Sequence, residues 1–232
     1  MTEQKTTLGY WGIRGLGQVA RFMLTEAVGQ DGFVDHYVDG AKWFGGEKAA
    51  LPNPFPNLPY LRAGELVVTE SKAILLHLAR KHGLYGATEE EQTRVDNILF
   101  FAEDIRAGYA KVCYTPPGQA HADARAAFEK NLGAKLERLQ EVAAKRTTKY
   151  LVTEDKPTVA DFFVYELIFC LSHFAPGIVE PMTPLQDFRR RMEQLPSVAT
   201  TQERTAPLPF NGPSATWDCR WENGKHVPTI KE

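Results

Sequence analysis

Residues 158–174, TVADFFVYELIFCLSHF, carry apolar side chains nearly all round. A helix without a polar face has to be surrounded, so this stretch predicts the middle of a helical bundle. Thr158 and Asp161 have the spacing of a capping box at its start. No apolar run in the chain reaches the roughly 20 residues of a membrane span, so the segment is read as a protein core. Two further stretches supply its neighbours. Val95, Ile98, Leu99, Ala102, Ile105, Tyr109 and Val112 recur at helical spacing, and so do Phe128, Leu132, Leu136, Leu139 and Val142.

The first third of the chain has a different texture. TTLGYW (6–11) and FVDHYVD (33–39) read as strands, and LGQVARFMLTEAVG (16–29) as an amphipathic helix that Gly29 ends. LPYLR and ELVVT flank Ala63-Gly64, a hairpin signal, and SKAILLHLARKHG follows as a helix with Gly83 as its stop. The order is β-α-β, then β-β-α. Residues 40–56 are rich in glycine and proline and read as a long loop; the chain after 205 reads as Pro-rich and irregular. The expected layout is a small α/β domain over 1–84, a linker over 85–91 with Thr88 and Glu91 as a capping box, and an all-α domain with an extended tail over 92–232.

A net charge of −2 gives no reason to expect nucleic acid or an anionic membrane as partner. The start, MTEQKTT, is polar and has no signal-peptide core. Three cysteines, Cys113, Cys170 and Cys219, are too few and too scattered for a disulfide framework or a zinc site, which fits a reducing, cytoplasmic setting. Cys113 and Cys170 sit on apolar helical faces; Cys219, between two tail tryptophans, is the thiol expected to be exposed. The histidines show no metal-ligand spacing, and no metal is expected.

Three features point to chemistry. Pro59 opens a strand although proline cannot donate to a ladder. One reading is a turn proline. The other is that Leu58, held extended before it, offers its backbone to an extended peptide ligand. Next, TES (69–71) stands at a helix entry. Free N–H groups there and the Ser71 hydroxyl suit a carboxylate, and Glu70 suits an ammonium, so together they fit the end of an amino acid; the alternative is a plain helix cap. Finally, Gly15-Leu16-Gly17-Gln18-Val19-Ala20 fits a dinucleotide fingerprint, but the strand before it is short and the block too small for a doubly wound domain. What that segment leaves is Tyr10 at a strand end, either packing or a neutral hydroxyl donor to a developing anion.

GYWGIRGLG, FPNLPYL, TESKAILLHLARKHGL, EEEQTRVD and TVADFFVYE together resemble the cytosolic glutathione transferases, the Mu class in particular. The resemblance covers residues 7 to about 200. It implies a thioredoxin-like N-terminal domain, a helical C-terminal domain, a cis Leu58-Pro59 bond and glutathione as co-substrate. By resemblance, Glu70 and Ser71 hold the γ-glutamyl end, Leu58 pairs with the cysteinyl unit with Asn57 alongside, and Trp11 flanks the site. Trp43 and Lys48 match contacts to the glycyl end, Asp104 a residue reaching the partner subunit's glutathione, and Tyr10 the hydroxyl donating to sulfur. Ile13, Leu16, Ala107, Tyr114 and Phe210 match the electrophile pocket, and Phe55 an aromatic key between the subunits of a homodimer.

The chain departs from the Mu pattern in places. The loop from Tyr37 to Asn57 is several residues shorter, Lys42 stands where an arginine is expected, Glu70 replaces a glutamine, and the tail beyond Trp217 is extra. The expected function is conjugation of glutathione to apolar electrophiles in detoxification. Rivals are a glutathione-dependent isomerase of prostaglandin type, a non-catalytic ligand carrier and, remotely, a nicotinamide oxidoreductase.

Overall fold

The computed structural model describes residues 5–231. The expected domain bounds and the polar start include residues 1–4 and 232, which lie outside the described residues. Strand β1 (Thr6–Tyr10) leads into helix α1 (Gln18–Val28) and strand β2 (Phe33–Tyr37), which pairs parallel to β1. β3 (Tyr60–Ala63) pairs antiparallel to β1, and β4 (Leu66–Thr69) antiparallel to β3, giving the order β2-β1-β3-β4. The hairpin turns on Gly64-Glu65, one residue later than expected, because Gly64 is the residue able to take φ 62° without strain.

The expected long loop is mostly helical turns: α2 (Gly40–Lys42), a wider turn over Trp43–Glu47 and α3 (Lys48–Ala50). Asp39 starts it, its carboxylate accepting the Lys42 N–H at 2.9 Å. Trp43 and Leu51 anchor it in a small apolar cluster with Tyr10, Val38, Leu58 and Val67. The glycines hid this, since their low helix propensity was overridden by two buried anchors.

α4 (Ser71–His82) closes the first block, and Gly83 follows it at φ 65°, the left-handed C-terminal position expected. Then come α5 (Glu89–Cys113), α6 (Gln119–Lys145), α7 (Val159–Phe174), the single turn α8 (Pro176–Val179), α9 (Thr183–Glu193) and α10 (Pro196–Thr205). Both capping boxes form: Thr88 with Glu91, and Thr158 with Asp161. α7 is buried along nearly its whole length, as its sequence demands. It also joins the two halves, because Phe22 of α1 lies against Phe162 and Tyr165, with ring centroids 6.4 and 5.4 Å away. Truncating one such buried ring costs about 3–5 kcal/mol. Among the described residues no helix is long and apolar enough to cross a membrane.

The tail is not irregular. β5 (Trp217–Glu222) and β6 (Lys225–Ile230) form an antiparallel hairpin turning on Asn223-Gly224, with φ 50° and 82°. Asn-Gly is the preferred pair for a turn needing positive φ at both centres, so this signal stood in the sequence unread. The hairpin also corrects the expectation for Cys219: its strand face turns inward, the thiol is fully buried, and burial pushes its pKa up to about 12.

Candidate active site

Tyr10 is the last residue of β1, and its ring is almost buried. The Leu16 N–H donates to its hydroxyl oxygen at 3.1 Å. This closeness requires glycine nearby: a Cβ on Gly15 would lie 2.8 Å from that oxygen, and one on Gly17 2.7 Å from the ring. The glycines that imitate a dinucleotide motif therefore wrap the loop onto a phenol. Burial raises the Tyr10 pKa; the Leu16 N–H, Arg21 and Arg106 oppose this without overcoming it. The hydroxyl thus stays protonated at neutral pH. Since it already accepts an N–H, its own proton is free for another acceptor.

The Leu58-Pro59 peptide bond is cis, and both residues are buried. The Leu58 N–H donates to the exposed Asn57 side chain at 2.9 Å. Glu70 sits at φ 66°, ψ 114° immediately before α4, a backbone state that a non-glycine residue holds only when its surroundings impose it. Its carbonyl accepts the Ile74 N–H at 3.0 Å, fixing the helix start, and its side chain is exposed.

Two cavities meet at Tyr10. The smaller, about 310 Å³, is lined by Tyr10, Leu16, Ser71, Arg106, Tyr114 and Phe210 among others. The larger shares Tyr10 and Tyr114 and adds Trp11 and Ile13. The fold thus brings together Tyr10, Leu16, Ser71, Tyr114 and Phe210, with Trp11 and Ile13 adjoining. Ala107 is exposed on α5, whereas Glu103, Arg106 and Ala110 of that helix face the smaller cavity. Asp104 and Lys48 are exposed, and so is Phe55. Trp43 is buried and stacked on Tyr60, with centroids 6.4 Å apart, beside a separate depression with His36 and Arg62.

Sequence reasoning missed two charged groups. Glu103 accepts from Lys72 at 2.9 Å and from Arg106 at 2.6 and 2.8 Å. Burial raises the Glu103 pKa, but those two cations outweigh it and hold the carboxylate below its ordinary value. Beneath the pocket, fully buried Arg14 pairs with Glu166 at 2.5 and 3.0 Å and lies over Phe169, 4.6 Å from the ring centroid. Arg14 and Glu166 are 152 residues apart, so no local pattern announces them.

A four-stranded sheet of order β2-β1-β3-β4 with α1 and α4, followed by helices α5 to α10, is a thioredoxin-like domain joined to a helical one. The comparisons agree. Residues 6–80 match the family model described as glutathione S-transferase, N-terminal domain, and residues 103–202 the one described as glutathione S-transferase, C-terminal domain. The chain is 32% identical over 224 residues to a glutathione S-transferase class-mu 26 kDa isozyme of Fasciola hepatica, covering 95% of this chain and 98% of that one. It is 36% identical over 220 residues to glutathione S-transferase Mu 1 of Oryctolagus cuniculus, covering 91% and 97%. Among solved structures it superposes on the Pi-class glutathione S-transferase of Onchocerca volvulus with a TM-score of 0.79 at 28% identity, covering 91% of this chain and all of that one. The glutathione S-transferase Blo t 8 matches with a TM-score of 0.80 at 30% identity, covering 90% and 98%. The chain belongs to the glutathione S-transferase family.

Proposed function

We propose that the protein is a homodimeric, cytoplasmic glutathione transferase that conjugates glutathione to apolar electrophiles, a detoxifying activity. The observation that carries this is the Tyr10 hydroxyl, which accepts the Leu16 N–H and stands where the two cavities join, with Ser71 lining the same smaller cavity. Glu70 and Ser71 receive the γ-glutamyl end, and Leu58 pairs with the cysteinyl backbone once Asn57 releases its N–H. Trp43 and Lys48 belong to the glycyl end, and Asp104 reaches across the dimer to the partner's glutathione. Phe55, exposed on its loop, keys into the neighbouring subunit.

In this reading the Tyr10 proton faces the sulfur. A free thiol has a pKa near 8.5 and is mostly neutral at pH 7. One fixed donor in a site poor in water is worth about 2.7–4 kcal/mol. At about 1.4 kcal/mol per pKa unit, that moves the thiol to about 6, so the thiolate predominates. Side-by-side binding then supplies orientation. Leu16, Ile13, Tyr114 and Phe210 surround the electrophile, and on α5 Ala110 takes the place that the resemblance gave to Ala107.

Retention on immobilised glutathione, followed by turnover of 1-chloro-2,4-dinitrobenzene, tests the proposal. Both are expected. A carrier would be retained without turnover, and an oxidoreductase would pass through unretained; either result defeats it.

A further inference from the structure

The tail hairpin forms one wall of the larger cavity, whose volume is about 1020 Å³. Trp11 and Phe44, with ring centroids 6.2 Å apart, also line it. Trp217, Cys219 and Trp221 alternate onto one face of β5. The first two are fully buried, whereas Trp221, near the strand end, is 40% exposed and lines the cavity. Its indole is braced edge-on by its cross-strand partner His226, 4.8 Å away at 72°. His226 in turn rests on Phe210 at 5.2 Å, and Phe210 lines the smaller cavity. An aromatic chain therefore runs from the Tyr10 pocket out to Trp221. The wall carries little net charge: Arg220 is held by buried Asp218 at 3.1 Å, and Glu222 stands beside it. It offers aromatic area rather than a counter-ion.

We propose that Trp221 is a specificity-determining residue, a stacking platform that selects planar fused-ring aromatic electrophiles over single-ring ones. The inference rests on the transferase reading above. In the reaction the glutathione sulfur forms a bond to the ring carbon and the carbon–chlorine bond breaks. Chloride leaves with the bonding pair, the thiol proton passes to solvent, and nothing is oxidised or reduced. A platform that touches the ring face acts through binding, so its signature is selectivity.

The test compares 1-chloro-2,4-dinitronaphthalene with 1-chloro-2,4-dinitrobenzene, which share leaving group and activating groups and differ in ring area. In Trp221→Ala and Trp221→Leu the naphthalene-to-benzene ratio of kcat/KM is expected to fall about fivefold, mainly through KM. In Trp221→Phe, which keeps an aromatic face, the ratio is expected to stay within about twofold of the wild type. A ratio unchanged in both the Ala and Leu variants, or a fall in Phe as large as in Leu, overturns the platform. A wild-type protein that turns over neither compound overturns the transferase reading itself, a result that cannot be mistaken for the other.

Discussion

At Tyr10 opposing influences act on one proton. Burial favours the neutral phenol; the Leu16 N–H and two arginines favour the anion, and burial prevails. A phenol whose pKa lies above its ordinary value of about 10 keeps its proton through the whole range in which a thiol titrates. Tyr10→Phe is therefore expected to lower kcat/KM at pH 7 by about thirtyfold, the loss of thiolate as the thiol pKa returns from about 6 to about 8.5. It is also expected to move the midpoint of the pH–rate profile upward, towards the free-thiol value near 8.5, so that the deficit shrinks as pH rises. A stopped-flow profile of both proteins between pH 5 and about 9 checks this; a deficit independent of pH would mean the hydroxyl does not act on the thiol's ionisation.

The elements stand on a few local devices. Asp161, at the start of α7, accepts from the N–H groups of Leu151 and Thr158 at 2.8 Å each and from the Thr158 hydroxyl at 2.7 Å, all buried. Asp161→Ala leaves those donors unsatisfied and is expected to cost about 3 kcal/mol or more. In a chain of this size that is a fall of about 6–12 °C in Tm, measurable by calorimetry; Thr158→Ala, which removes only a cap hydroxyl, costs about 1 kcal/mol. The tail hairpin has its own pH limit. Burial, with Arg14 and His173 nearby, lowers the His226 pKa to about 4. An unfolded histidine titrates near 6.5, so the folded state favours the neutral ring. The stability it contributes is complete above about 6.5 and is lost as pH falls towards and through about 4. The urea midpoint of the wild type is expected to drop more steeply between those values than that of His226→Phe. Parallel curves would show that another group, such as His173, governs the acid limit.

On the scale of the whole molecule, one continuous core runs from Leu8 and Phe22 through α7 to Phe188 and Trp217, while Tyr10, Trp43 and Leu58 share a separate small cluster. The candidate site lies where that small cluster meets the helical half. Phe55 is 71% exposed, a large apolar side chain with no cover within its own subunit. If it is the intersubunit key, Phe55→Ala removes two symmetry-related contacts, each of the size of an interface hot spot, together about 4 kcal/mol, and weakens the dimer roughly 1000-fold. Sedimentation velocity across a dilution series reads this directly. A dimer unaffected by the change would place the interface elsewhere.

Where information is local, the sequence alone determined the outcome: the all-apolar α7, the two capping boxes, Gly83 after α4 and the β-α-β order all formed as their residues dictate. Even the hairpin that sequence reading passed over was written locally in Asn223-Gly224. Each of these depends on residues a few positions apart, whose geometry is set by helix or turn period. Only the tertiary structure decided that Gly15 and Gly17 serve a phenol rather than a phosphate, that Cys219 is sealed, and that Trp43 and Leu51 fold a glycine-rich loop into helical turns. It alone paired Arg14 with Glu166 and Lys72 with Glu103. Those outcomes depend on which distant surfaces meet, and meeting is settled by the packing of the whole core, to which no short stretch of sequence has access.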